Sequence, residues 1–81
     1  MINQNMYTKI IKENLSFGDV MNALRTGKKV TRSIWGGYWQ IINPFTQGED
    51  WIVAVLKDNK GLAPAQPYQA DMLANDWMIV E

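Results

Sequence analysis

The sequence predicts a small α+β fold: an antiparallel sheet of four to five strands packed with one amphipathic helix and a short C-terminal helix. Three observations lead there. One stretch has the apolar spacing of a helix and polar signals at both its ends. Several short runs are rich in β-branched and aromatic residues. Turn signals separate those runs, at Gly36-Gly37, Asn43-Pro44 and Asp58-Asn59-Lys60-Gly61.

Taken in order, MYTKIIK (residues 6–12) reads as extended, an arm or an edge strand within an N-terminal extension spanning 1–15; residues 16–81 form a single domain. In LSFGDVMNALRTG, Phe17, Val20, Met21 and Leu24 recur at i, i+3, i+4 and i+7, one apolar stripe of a helix. Ser16 is a good N-cap with Asp19 three residues on, a short-armed capping box. Gly27 is a natural stop, since glycine takes the left-handed conformation freely. KKVTRSIW alternates as a strand, with Val30, Arg32 and Ile34 on one face and Lys29, Thr31 and Trp35 on the other. Gly36-Gly37 signals a hairpin into YWQIIN. Residues 43–50 read as a loop, WIVAVL as a third strand, LAPAQP with its two prolines as a loop, QADMLAN as a short helix and WMIVE as the last strand.

WIVAVL and WMIV are apolar on both faces, and such strands want cover on both sides. Two helices, one of them short, do not cover both faces of the sheet. An 81-residue chain also has a marginal core of its own, and without cysteine it has no disulfide to reinforce it. A homo-oligomer is therefore expected.

Composition excludes several functions. There is no histidine and no cysteine, which removes the commonest general base, the thiol nucleophile and the usual transition-metal ligands. No phosphate-binding glycine loop or dinucleotide turn is present. Asp71 and Asp76 are an acid pair, but a carboxylate in the first turn of a short helix and another just before a strand have ordinary structural uses. No enzyme, cofactor or metal is expected. No apolar run approaches a membrane span, and the first residues lack the apolar core of a signal peptide, so a cytoplasmic protein is expected.

The net charge is zero but uneven. Residues 20–48 carry Arg25, Lys28, Lys29 and Arg32 and no acid, whereas residues 49–81 carry six acids against two lysines. A neutral total argues against duplex nucleic acid, which wants a broad basic face, and leaves room for one local basic site. The basic stretch runs straight into Trp35, Gly36, Gly37, Tyr38 and Trp39. Arginine matches phosphate oxygens with a fork of donors, tryptophan offers a face for a flat ring, and glycine lets backbone approach a ligand. The pattern suits something anionic and flat. Arg32 and Trp35 fall on opposite faces of a regular strand, so they share a pocket only if the chain twists at Gly36-Gly37 or two subunits contribute. The alternative is that these tryptophans are core and the lysines solvated.

Two blocks, FGDVMNALRTGKKVTRSIW and PYQADMLANDWMIVE, resemble the second class of Thoeris anti-defence proteins, small phage proteins that act as sponges. The matching elements are Phe17, Ala23-Leu24, Gly27-Lys28-Lys29, Val30, Arg32 and Trp35, then Gln69-Ala70-Asp71, Leu73-Ala74 and Asp76-Trp77. The resemblance implies a homotetramer that sequesters, without cleaving, a nucleotide immune signal in pockets between subunits, inside the infected bacterial cell. The signal would be glycocyclic ADP-ribose, and in some members cyclic dinucleotides. It implies that Trp35 stacks on adenine, that Arg32 meets phosphate, and that Asp71 and Asp76 accept hydrogen bonds or shape the loop. Where many members read Gly-Trp-Asn-Gly, this chain has Trp35 followed by Gly36-Gly37 and the bulky Tyr38 and Trp39, so these positions belong to the candidate ligand site and set its range. A second class of function is a protein-interaction module that inhibits a host partner through the apolar sheet face.

Overall fold

A computed structural model of the chain describes residues 5–42 and 50–81. Among the described residues six strands and two α-helices run in the order β1 (Ile10–Leu15), α1 (Phe17–Arg25), β2 (Lys29–Arg32), β3 (Tyr38–Ile42), β4 (Trp51–Val55), β5 (Leu62–Pro64), α2 (Gln69–Leu73) and β6 (Trp77–Val80). A single 3-10 turn, Lys57–Asn59, joins β4 to β5. The sheet order is β1-β6-β2-β3-β4-β5, and every neighbouring pair is antiparallel. The class is α+β as expected, with six strands rather than four to five. The loop expected at 43–50 falls on residues 43–49, outside the described residues.

Helix α1 begins and ends as its sequence dictates. The Asp19 amide donates to Ser16 Oγ at 3.2 Å, and the Ser16 amide donates to Asp19 Oδ2 at 3.1 Å, completing the capping box. The Asp19 carboxyl is held below its ordinary value, first by the Ser16 backbone bond. At the other end Gly27 takes φ +86°, while its amide and that of Lys28 donate to Leu24 and Ala23 carbonyls, a Schellman close. The apolar stripe then lies over β2, β6 and β3, with Val20 and Leu24 at 0% and 1% exposure.

Val30, Ile79, Trp39 and Ala54 line up across β6, β2, β3 and β4 and form the helix-facing side of the sheet. On the other side Thr31, Met78 and Val80 are buried within the single chain. The register also places the exposed Ile10, Trp51 and Leu62 on this side, while Ile34, Tyr68 and Leu73 are exposed outside the strands.

Three expectations are corrected. The strand expected over residues 28–35 stops at Arg32, because the Trp35 amide donates to the Arg32 carbonyl at 3.0 Å and closes a turn through Ser33 and Ile34. Ile34 consequently leaves the face shared by Val30 and Arg32 and is 70% exposed. LAPAQP is not wholly a loop: Leu62–Pro64 pairs with β4, and the Ala65 amide donates to Ile52. Pro64 is tolerated because β5 is an edge strand, where one side of the ladder needs no donor.

The extended N-terminal segment forms its strand later than expected, at Ile10–Leu15 on the edge beyond β6. Ahead of it, Thr8 and Lys9 amides donate to Glu81 and the Met6 amide donates to Gly36 at 2.7 Å.

Candidate functional site

The turn after β2 builds the site. Closing the chain at Ser33-Ile34 swings Trp35 round to the face that carries Arg32, so the two meet without a twist at Gly36-Gly37 and without a second subunit. The guanidinium carbon lies 5.9 Å from the Trp35 ring centre. Trp35 also packs at 5.3 Å on Trp39 and at 5.2 Å, edge-on, against Trp77, while Trp39 and Trp77 are 5.2 Å apart. Three of the four tryptophans thus form one triangle. The fourth, Trp51, is 39% exposed at the start of β4.

Arg32 is held by both acids singled out in the sequence. Its Nε donates to Asp76 Oδ1 at 2.9 Å and its Nη2 to Asp76 Oδ2 at 3.3 Å, a forked pair. Its Nη1 donates to Asp71 Oδ1 at 2.9 Å. The helix positions Asp71: as the third residue of α2 it accepts the Tyr68 amide at 2.9 Å with its other oxygen, and its carbonyl accepts Trp77 Nε1 at 2.8 Å. Asp76 sits just before β6, and its Oδ2 also accepts Ser33 Oγ at 2.7 Å, while its carbonyl accepts the Ser33 amide. The Arg32 fork, then the Ser33 hydroxyl, hold the Asp76 carboxyl below its ordinary 3.8. The same two acids, Asp76 first, raise the pKa of Arg32 further, so it is charged throughout.

A cavity of about 660 Å³ opens beside this cluster, a volume within the usual range for small-molecule sites. One wall is Arg32, Trp35 and Trp39; another is Ala54, Val55, Leu56 and Lys57 from the end of β4; Ala63 and Pro64 of β5, with Gln66, Tyr68 and Asp71, complete it. Gly36 and Tyr38 border it as well. Strand alternation sends the Tyr38 ring to the opposite face from Trp39, where Lys29 Nζ sits 4.9 Å from its centre. Asp76 is not in the lining: it acts through Arg32.

The paired glycines have a different use from the hairpin turn their sequence suggests. A Cβ at Gly37 would run into the Val55 carbonyl oxygen, and one at Gly36 would meet the stem of Lys57. They let the entry to β3 press against the end of β4, which closes the cavity's floor. Sequence reasoning missed Lys57 and Tyr68. The only signal for Tyr68 was its place before QADML, where a small polar cap would be usual; Lys57 carried none, because the surface its stem lies on, Gly36, is far away in the chain.

Among the described residues no group of acids could hold a metal ion, and no helix is long and apolar enough to cross a membrane. No curated protein matches the chain. The sequence pattern of the Thoeris anti-defense 2-like (Tad2-like) domain matches residues 15–80, a span that begins at the end of β1 and takes in every residue of the Arg32 cluster and the tryptophan triangle. The chain therefore belongs to the Tad2-like family of Thoeris anti-defence domains.

Proposed function

We propose that this protein is a sponge: it binds a cyclic ADP-ribose-type immune signal, glycocyclic ADP-ribose first, and holds it uncleaved so that the defence effector is not activated. Cyclic dinucleotides are a second ligand class to test. The observation that supports this is Trp35, which is half-buried, braced on Trp39 and Trp77, and borders the cavity with its remaining surface. A braced indole is a ready stacking platform for a base, since it loses little freedom on binding. Asp71 offers a carboxylate edge to hydroxyls or an amine; Arg32, Gly36, Tyr38 and Trp39 shape the walls, and Asp76 keeps Arg32 in place.

We also propose a homo-oligomer, a tetramer by family resemblance. Ile34 and Tyr68, both 70% exposed, stand on the cavity's border, with Leu73 at 78% on α2. Another copy of the chain laid on this border would bury them and roof the ligand. Light scattering gives the mass directly; a monomer at micromolar concentration removes this part of the proposal.

The test of the sponge is thermal denaturation against a panel of cyclic ADP-ribose isomers and cyclic dinucleotides. A ligand present at 100 times its dissociation constant adds about 2.7 kcal/mol to the folded state, a clear upward shift in Tm. Heating then releases the ligand unchanged. Chemically altered ligand on release argues for a hydrolase. The exposed apolar border favours one other reading, a module that inhibits a host protein directly; partner capture with no shift from any nucleotide would select it.

A further inference from the structure

We propose that the segment 6–9 is a positioning element of the ligand site: it ties down the turn that carries Trp35, with Tyr7 as its positioning residue. The inference rests on the sponge reading of the cavity. Residues 6–9 lie ahead of the 15–80 span that the family pattern covers, so the match assigns them nothing. The segment nonetheless has partners at both its ends. The Thr8 and Lys9 amides donate to the Glu81 carbonyl at 2.8 and 2.9 Å, and the Glu81 amide donates back to Lys9 at 2.9 Å, which anchors the segment beside the end of β6. From there it reaches the turn between β2 and β3. The Met6 amide donates to the Gly36 carbonyl at 2.7 Å, and the Tyr7 hydroxyl donates to the Trp35 carbonyl at 3.3 Å. Met6 and Tyr7 are half-buried, while Asn5 before them and Thr8 and Lys9 after them are exposed. The two residues that dock are the two that reach the turn.

The physical need lies in the turn itself. Trp35 is followed by Gly36-Gly37, and glycine has the widest backbone freedom of any residue. Left untied, such a turn would have to be ordered when the ligand arrives, and that ordering subtracts from affinity. Three successive carbonyls here each take a donor: Tyr7 Oη on Trp35, the Met6 amide on Gly36, and Thr31 Oγ1 on Gly37 at 2.7 Å. Two of the three donors come from the N-terminal segment. Ahead of Trp35, Asp76 takes both the Ser33 amide and its hydroxyl. The turn is therefore held by Asp76 before Trp35, and by Met6 and Tyr7 at and after it. Packing on Trp39 and Trp77 sets where the indole rests; these bonds fix the backbone from which it projects.

The experiment pairs two measurements on the full chain. The first is calorimetric titration with glycocyclic ADP-ribose. Tyr7→Phe keeps the ring and removes the hydroxyl; Met6→Pro removes the amide donor. Apparent affinity falls with the share of time that a loosened turn spends out of place. Each variant is expected to weaken binding about two- to threefold, and the pair about tenfold. In a Trp35→Ala background the same pair is expected to cost no further affinity, because the contact it positions is already gone. The second measurement is hydrogen exchange by NMR, without ligand. The Trp35 amide closes the turn onto the Arg32 carbonyl and is expected to exchange faster in the paired variant, while the Trp77 indole N–H, bonded to the Asp71 carbonyl, keeps its wild-type rate. Wild-type affinity in the paired variant overturns the proposal. So does a loss that persists in full when Trp35 is already alanine, which a segment that only stabilises the fold would produce. Unchanged exchange at the Trp35 amide overturns it with no ligand present. If the wild-type chain binds no cyclic ADP-ribose isomer, the sponge reading fails by itself, and the exchange rates alone decide whether Met6 and Tyr7 hold the turn.

Discussion

Two corners of the tryptophan triangle, Trp77 and Trp35, use the same side chain to opposite ends. Trp77 enters from β6 beneath α1, is 0% exposed, packs 5.6 Å from Phe17, and spends its indole N–H on the Asp71 carbonyl. Nothing of it is left for a ligand. Trp35 sits on a turn, is braced on two rings, and keeps part of its surface on the cavity. The difference lies in the backbone that carries each. A strand under a helix seals its side chain, whereas a turn at the sheet's end holds one at the boundary. Aromatic content alone does not distinguish a core from a binding platform; the element that bears the ring does.

Mutations can break this comparison, starting with the largest effect. Trp77→Ala removes the sealed corner and is expected to cost about 3–5 kcal/mol, much of the stability of so small a domain. Urea denaturation should show a mostly unfolded chain, and ligand binding should vanish with the fold. Asp71→Ala is next. It takes one of the two carboxylates from Arg32, which keeps Asp76, and leaves the Tyr68 amide without its acceptor, a loss of about 1–3 kcal/mol in the same measurement; a further change of Arg32 to Met should deepen the loss, because it strips Asp76 of its partner.

Trp35→Ala sharpens the contrast most. Its ring is only half-buried, so the stability cost should be about 1–2 kcal/mol and the chain should remain folded and assembled. Ligand affinity should fall by one to two orders of magnitude, the stacking share of about 1–3 kcal/mol. A Trp35→Ala chain that unfolds like Trp77→Ala would erase the distinction between the corners. The smallest effect concerns pH. Because Arg32 holds the Asp76 carboxyl below 3.8, its contribution is complete above the ordinary carboxylate value and is lost as pH falls through the depressed one. Stability should therefore be flat in this respect from pH 7 to about 5 and decline below about 4. Asp76→Asn should show a shallower acid decline, read by Tm against pH.

Much of the helix-covered region was legible in the chain. Ser16, Asp19, the stripe from Phe17 to Leu24 and Gly27 each act within a few residues of themselves, so their geometry follows from local spacing. Asp71 and Asp76 were legible as a pair of acids but not as the two hands on Arg32, because that cluster joins residues 39 and 44 positions apart. The turn that brings Trp35 to Arg32 was not legible. SIWGG carries a hairpin signal at its glycines, yet the chain closes two residues earlier, where the Ser33 hydroxyl and amide are both taken by Asp76. A tertiary acid overrode local turn preference. The strand in LAPAQP was hidden for a related reason: prolines forbid a central strand, and only the sheet order makes Leu62–Pro64 an edge.

By itself the sequence determined the α+β class, the limits of α1, the absence of imidazole and thiol side chains, and the family to which its two matching blocks point. Those follow from composition and from interactions spanning at most a turn of helix. Only the tertiary structure decided which tryptophan is sealed and which faces the cavity, that Arg32 is held between two aspartates, and that Gly36 lies under the stem of Lys57. Each of these is a contact between elements far apart in the chain, and it forms only after the sheet has ordered them side by side.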